Sequence, residues 1–513
     1  MKIKNTLSKD KQIVTVKPSG RVDINNSQQL LDKLNALADK HNEIILDASE
    51  IEYISSAGLR VFLSVYRNMR KKHGSFKLIN VNDTVQDILE VTGFDIIFEY
   101  AIIGDKPKPP IDVKKKLTDK GQEHLLRFYD ELDLKGREKL CGQIEALDLS
   151  ILDNKETQII RGRFEPLGAM TKERIDKDRE RLTQIGLDAI RQGKVGAVLL
   201  AGGQGSRLGS KDPKGMFNIG VNKTLYIFEC LIDRLMSVTE QAGAFLPLFI
   251  MTSSGNDKQT REFFEQQNYF GYDKNYIHFF VQEQLPTVDL NGKLMLSAKD
   301  TIACAPNGNG GWYASMQRTG VLHATKDAKN IEWLNVFAVD NVLQRIADPC
   351  FIGAVIDTGS GCGAKVVTKA SPDENVGVLC LEDGKPSVVE YYELTDEMRT
   401  RREEDGSLSY KYGVILNYLF KADELDKAYD TSLPLHKAFK KVDYINESGE
   451  LIHPDEPNAY KFETLVLDMI GQQSSCLAFE VEREKEFAPV KNKTGIDSVE
   501  SARELMIRNG IEL

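Results

Sequence analysis

Nothing in this sequence approaches the ~18 uninterrupted apolar residues that a membrane helix requires. Its opening, Met1-Lys2-Ile3-Lys4-Asn5, runs into alternating polar residues rather than the apolar core of a secretory signal. Membrane and secreted classes are set aside, and a cytoplasmic protein is expected. Cysteine is sparse: the 7 residues Cys141, Cys230, Cys304, Cys350, Cys362, Cys380 and Cys476 are odd in number, scattered and never spaced C-x-x-C. That pattern argues against a disulfide framework and a zinc site, and the thiols read as reduced and structural. Positive charge is not in excess, since 67 Lys+Arg face 77 Asp+Glu for a formal net charge of −10. Bulk attraction to nucleic acid or anionic lipid is thereby excluded, though a local basic pocket is not. No P-loop pattern G-x-x-x-x-G-K-[ST] occurs, and none of the 7 histidines forms H-E-x-x-H or a convincing triad.

What is present is a chain of 513 residues, enough for about three domains with full cores. Residues 1–103 alternate short apolar runs with amphipathic ones and read as a small α/β domain. Strands are expected at 13–16, 44–46 and 76–81, and helices at 28–38, 58–72 and 85–91. Residues 104–116 carry three prolines and five lysines and read as a stiff, solvated connector. Residues 117–192 read as mostly helical, with a helix over 121–132. From 193 to 513, apolar runs such as 195–200, 248–251, 277–281, 334–339, 365–368, 376–381 and 388–391 alternate with helical or glycine-rich connectors. That texture implies an α/β fold with a largely parallel or mixed sheet covered on both faces.

Directly after the expected strand 195–200 comes Ala201-Gly-Gly-Gln-Gly-Ser-Arg-Leu-Gly209, then Pro213-Lys-Gly-Met216. Glycines at a strand end let backbone N–H groups approach an anion, so phosphate is the natural ligand. Leu208 stands where the dinucleotide fingerprint needs its third glycine, which disfavours a nicotinamide oxidoreductase. A bare glycine turn can equally be a tight strand-to-helix connection. Arg207 and Lys214 shift the reading toward a polyphosphate whose leaving group accumulates charge.

These segments resemble the signature of the eukaryotic-type UDP-sugar pyrophosphorylases, and most closely the UDP-N-acetylglucosamine pyrophosphorylase branch. Further matching segments follow in the family's order: Gln122 to Phe128, Ala305 to Gly311, Val339-Asp-Asn341, Cys362 to Val367, Val388 to Tyr391 and Phe487 to Asn492. The resemblance implies a Rossmann-like nucleotidyltransferase (GT-A-like) mixed sheet flanked by helices, following the small domain. It implies a uridylyltransferase that makes UDP-sugar and pyrophosphate from UTP and a sugar 1-phosphate, N-acetylglucosamine 1-phosphate by preference. On the matching positions, Gly202, Gly203 and Gly205 would face the nucleotide phosphates, and Gln282 and Gly308 would hold the uracil. Arg207, Lys214 and Lys491 would neutralise charge during catalysis. Asn309, Gly363, Glu390 and Tyr391 would contact the sugar, and Asp340 would take Mg²⁺. Taken singly, Asp340-Asn341 could instead cap a helix and Lys491 could be a solvated surface charge. Where the family has A-G-N, this chain reads Tyr412-Gly413-Val414, so weaker discrimination at the sugar is expected. The small C-terminal domain of the eukaryotic enzymes is expected to be missing or cut short.

The run Leu46 to Leu63, with Ile54-Ser-Ser-Ala-Gly-Leu-Arg-Val61 at its centre, resembles the STAS domain of anti-sigma-factor antagonists. The resemblance implies a regulatory or docking domain that a kinase or partner protein recognises, with Ser56 as the phosphorylatable serine. Ser55 or Ser56 could equally be a plain helix cap. The alternative to an enzyme is a UDP-sugar-sensing scaffold that acts through the first domain. The joint presence of Arg207, Lys214, Asp340 and Lys491 favours catalysis.

Overall fold

The computed structural model describes residues 1–8, 13–72, 74–98, 100–102, 109–153, 161–324, 330–429 and 433–513. They form two compact units, Met1–Thr118 with Leu126–Cys141, and Asp119–Leu125 with Gly142–Leu513.

In the first unit, Val14, Val16, Ile44, Leu46, Phe76 and Leu78 alternate inward along their strands and bury completely or nearly so. The sheet runs Lys2–Leu7, Ile13–Val22, Glu43–Asp47, Ser75–Val81, Tyr100–Ile102, and Ile51–Ile54 pairs with the far end of Ile13–Val22. Only the first pairing is antiparallel; the others are parallel, joined through helices Ser27–Ala38, Ser56–Lys71 and Asp83–Thr92. The expected strands and helices are all here. The edge strands Lys2–Leu7 and Tyr100–Ile102 and the short strand Ile51–Ile54 are additions. Of the connector expected at 104–116, residues 104–108 lie outside the described residues. Its second half is helical instead: Ile111–Thr118 follows Pro109-Pro110, which suit a helix start, and buries Val113 and Leu117 one turn apart.

The second unit is built on a mixed sheet. Its main order is Ile277–Val281, Leu248–Thr252, Val195–Leu200, Trp333–Ala338, Tyr412–Lys421, Cys362–Thr368, Cys476–Glu480, Ala169–Met170. Along this path Tyr412–Lys421 alone runs antiparallel to its neighbours. The hairpin Val378–Glu382/Lys385–Val389 branches from it, with Phe164–Pro166 on the outside. Every residue of Val195–Leu200 and Leu248–Thr252 is buried, which is why these strands read as unbroken apolar runs. Alternate side chains enter different cores. Ala197 and Leu199 pack with helices Lys172–Arg191, Ile227–Ala242 and Pro349–Asp357, whereas Val198 and Leu200 pack with Trp312, Met316 and Ile470. The helix expected over 121–132 is two short 3₁₀ turns, Glu123–Leu126 and Tyr129–Glu131. Tyr412–Lys421 was not anticipated from the sequence, because Leu416 at φ +53° and a register shift opposite Ala364 to Val366 break its period-2 pattern.

Candidate functional site

Four parallel strands deliver their carboxyl ends to one place. Val195–Leu200 leads into Gly202, Leu248–Thr252 into Ser253, Ile277–Val281 into Gln282, and Trp333–Ala338 into Asp340. All four of these following residues line a cavity of about 640 Å³, the position where ligands bind in open α/β sheets. A second cavity, of about 820 Å³, carries Glu390, Tyr391, Val414 and Lys491. Asn309, Asp340 and Leu416 line both, so the two form adjoining chambers with a common wall.

The glycine loop folds back on the segment that follows it. Lys214 donates its backbone N–H to Gly203 O (3.2 Å), and Gln204 bridges Pro213. This return is what brings the Lys214 side chain into the first chamber, and it explains the P-K-G-M segment a few residues after the glycines. Gly202 lets the loop close up on Gln282, since a Cβ there would collide with Gln282 Oε1. Gly308 sits at φ +83°, and a Cβ on it would run into the backbone of Thr464. The next residue, Asn309, lines both chambers, and its Oδ1 accepts the Val466 N–H (2.9 Å).

Charge gathers at the common wall. Lys214 Nζ lies 3.7 Å from Asp340 Oδ2. Burial pulls the pKa of Lys214 below the ordinary lysine value; Asp340 opposes that pull, while the positive charges of Lys491 and Arg207 reinforce it. Lys491 reaches the site because its segment is sewn to the Asp340 strand end. Val490 N–H donates to Asp340 O (2.8 Å), Asn341 Nδ2 donates to Glu486 O (2.7 Å), and Ala488 N–H donates to Asn341 Oδ1 (2.9 Å). Beneath this seam lies the fully buried Lys365, with Nζ 2.6 Å from Glu486 Oε2 and 2.9 Å from Asp348 Oδ2. Burial works against its charge, but the two carboxylates outweigh burial and hold its pKa above the ordinary value. In the second chamber, burial and the charge of Glu393 push the Glu390 carboxyl up.

Three expected positions differ from the sequence reading. The N–H of Gly205 is spent on Asp212 O (2.9 Å), so this glycine shapes the loop rather than facing the first chamber. Gly363 lines neither chamber, and a Cβ on it would press into Val355 and Phe351, so its role is close packing of helix on sheet. Arg207 is exposed and lines neither chamber, reaching the site only through its charge. Of the four charged residues lining the first chamber, Lys214, Asp340, Lys461 and Glu463, the last two were missed. Lys461 and Glu463 face the first chamber from one side of the strand Ala459–Glu463, while Phe462 between them is buried. The alternation in A-Y-K-F-E was the available signal.

The sequence model of the UTP–glucose-1-phosphate uridylyltransferase family matches residues 150–506, which spans every element of both chambers. The chain belongs to that family. It is 37% identical over 424 residues to human UDP-N-acetylhexosamine pyrophosphorylase-like protein 1, covering 77% of this chain and 83% of that protein. UDP-N-acetylglucosamine diphosphorylase 2 of Arabidopsis thaliana is 35% identical over 423 residues, covering 77% and 82%. The crystal structure of the Trypanosoma brucei UDP-N-acetylglucosamine pyrophosphorylase in complex with inhibitor superposes with a TM-score of 0.67 at 26% identity, covering 78% of this chain and 84% of that one. Residues 5–102 match the STAS domain model, so this uridylyltransferase-family chain carries a STAS domain at its N-terminal end. In that domain Ser55 is the cap of helix Ser56–Lys71, its side chain accepting from Gly58 N–H (3.5 Å). Ser56 is left exposed in the first turn. Among the described residues no helix is long and apolar enough to cross a membrane.

Proposed function

We propose that the protein transfers the uridylyl group of UTP to a sugar 1-phosphate, with N-acetylglucosamine 1-phosphate as the preferred acceptor, in the cytoplasm. The supporting observation is the pair of adjoining chambers, with Lys214 and Asp340 meeting at their common wall. One substrate can fill each side while the reacting phosphates meet between them. In the first chamber Gln282 and Gly308 take the uracil, and the backbone at Gly202 and Gly203 receives the phosphates. In the second, Asn309, Glu390 and Tyr391 take the sugar. A phosphate oxygen of the sugar 1-phosphate attacks the α-phosphorus of UTP. The new P–O bond forms as the α–β bridging P–O bond breaks, and pyrophosphate leaves with the electron pair. No protein nucleophile is required. Lys214 and Lys491 offset the charge that develops on the phosphates, and Arg207 adds a longer-range contribution.

Mg²⁺ is the expected cofactor. Among the described residues no group of three or more His, Cys, Asp or Glu could hold a metal ion. Asp340 at the wall nevertheless suits a cation that keeps one protein carboxylate and takes its other ligands from substrate phosphates and water. Bound there, Mg²⁺ would supply charge neutralisation on the phosphates. The STAS domain serves as a docking module for a kinase or regulatory protein, and phosphorylation of exposed Ser56 would add ~1.5 to 2 negative charges at a helix N-terminus without removing the Ser55 cap. Pyrophosphate release from UTP with a panel of sugar 1-phosphates tests the activity. Silence with every sugar would leave UDP-sugar sensing as the function. Capture of partners by wild type, Ser56→Ala and Ser56→Asp tests the docking role, which fails if all three bind alike.

A further inference from the structure

The second chamber's wall is held by a side chain more than 200 residues away in sequence. Arg161 stands in the segment just before the outer strand Phe164–Pro166. Its guanidinium forms a two-pronged pair with Glu393, Nε to Oε1 at 2.9 Å and Nη2 to Oε2 at 2.8 Å. The third prong goes to Glu382 Oε2 at 3.1 Å, and Nη2 also approaches Val388 O at 3.4 Å. Glu393 passes the constraint onward, because its Oε2 accepts the backbone N–H of Glu390 at 2.9 Å. Burial alone would raise the pKa of Glu393, but the hydrogen bond and charge of Arg161 together with the Glu390 N–H outweigh burial and keep it below the ordinary carboxylate value. Glu382 is tied in from two further sides, accepting Gly162 N–H at 2.7 Å and Ser387 Oγ–H at 2.8 Å. Arg161 lines neither chamber. Without it, two carboxylates would lose their shared guanidinium in a half-buried place, and the chain turn that carries Glu390 and Tyr391 would lose its anchor.

We infer that Arg161 is a positioning residue for sugar recognition: through Glu393 it fixes the backbone of Glu390, and so sets how tightly and how selectively the second chamber holds the sugar. This rests on the assignment of the second chamber to the sugar. It separates two properties that a general structural role would move together, affinity for the sugar part of the ligand and affinity for the nucleotide. A lysine at 161 keeps the charge but loses the fork that spans both Glu393 oxygens, so it removes geometry and leaves the local charge balance intact.

The test is calorimetric titration of the full-length protein with UTP and, separately, with UDP-N-acetylglucosamine, in wild type, Arg161→Lys, Glu393→Gln, Glu390→Gln and the Arg161→Lys/Glu390→Gln double variant. In Arg161→Lys and Glu393→Gln, UTP affinity should stay within about twofold of wild type while UDP-N-acetylglucosamine binds about 10-fold more weakly. In turnover, KM for the sugar 1-phosphate should rise by the same factor. Added to Glu390→Gln, Arg161→Lys should cost less than about twofold more, since both act on one contact. Equal weakening of both ligands, or full multiplication of the two substitutions, overturns the proposal; so does unchanged sugar affinity in both Arg161→Lys and Glu393→Gln. A wild type that binds UDP-N-acetylglucosamine but turns nothing over refutes the transferase reading and leaves the positioning result to be judged on binding. A wild type that does not bind the UDP-sugar refutes both.

Discussion

The two chambers that meet at Asp340 are built by different means. The first is a backbone site: glycines at 202, 203 and 308 remove side chains so that main chain and one buried amide, Gln282, can close on a ligand. Its shape follows from the ends of parallel strands. The second is a side-chain site, whose polar wall depends on ion pairs between distant segments, Arg161 with Glu393 and Lys365 with Glu486. A backbone site is rigid because the sheet is rigid. A side-chain site is only as well placed as the pairs that hold it, and it can be retuned by single substitutions.

The largest expected effect lies under the seam. Lys365→Met leaves Asp348 and Glu486 buried without their cation, and unfolding by denaturant should show a loss of about 3–5 kcal/mol. A loss below 1 kcal/mol would mean that the pair is no more than space-filling and that the second chamber does not lean on it. Next comes Lys214→Ala at the common wall, with an expected fall in turnover of ~10² or more and an unchanged melting temperature. Comparable turnover would remove Lys214 from the chemistry and break the picture of reacting phosphates at the wall. Gly308→Ala sharpens the account of the first chamber. The added methyl meets both an unfavourable φ and the Thr464 backbone, so UTP affinity should drop by about 10-fold. The corresponding effect on a sugar 1-phosphate should be smaller. The smallest effect is expected at Val414, which lines the second chamber from a strand whose N–H donates to Gly377 O at 2.9 Å. Val414→Asn should change the ratio of kcat/KM values among N-acetylglucosamine, N-acetylgalactosamine and glucose 1-phosphates by the equivalent of one hydrogen bond, ~0.5 to 1.5 kcal/mol. A constant ratio would show that position 414 points no group at the sugar.

This division also explains what the sequence disclosed. The first chamber was legible because its parts are short and contiguous: a strand, then glycines, then a basic residue that returns to them. Gln282, Gly308, Asp340 and Lys214, each marked by its motif, all line the first chamber. Gly205 and Gly363 did not, since a motif marks a glycine as needed without saying whether its N–H, its φ or its missing Cβ is what matters. The support of the second chamber was hidden for a different reason. No local pattern joins Arg161 to Glu393 or Lys365 to Glu486, and an arginine in R-G-R-F or a lysine in C-G-A-K-V-V reads as an ordinary surface or strand residue until the fold pairs it. In the STAS domain, period-2 strands and amphipathic helices carried the fold plainly. Three strands escaped: Lys2–Leu7, exposed along almost its whole length and so without a buried face, and Ile51–Ile54 and Tyr100–Ile102, which at four and three residues lack the length that makes a pattern visible.

The antiparallel strand at the middle of the large sheet has a consequence for synthesis. Residues 333–338 and 362–368 leave the ribosome well before residues 412–421, yet the later segment must slide between them to complete the sheet. Until then each flanking strand presents an unpaired edge and a bare apolar face to solvent. The nascent chain therefore passes through a stage in which the halves of its future sheet are ready to pair with the wrong partner, including another copy of themselves. A pause in translation just before residue 412 should be the moment of greatest dependence on chaperones, and one just after residue 421 should relieve it.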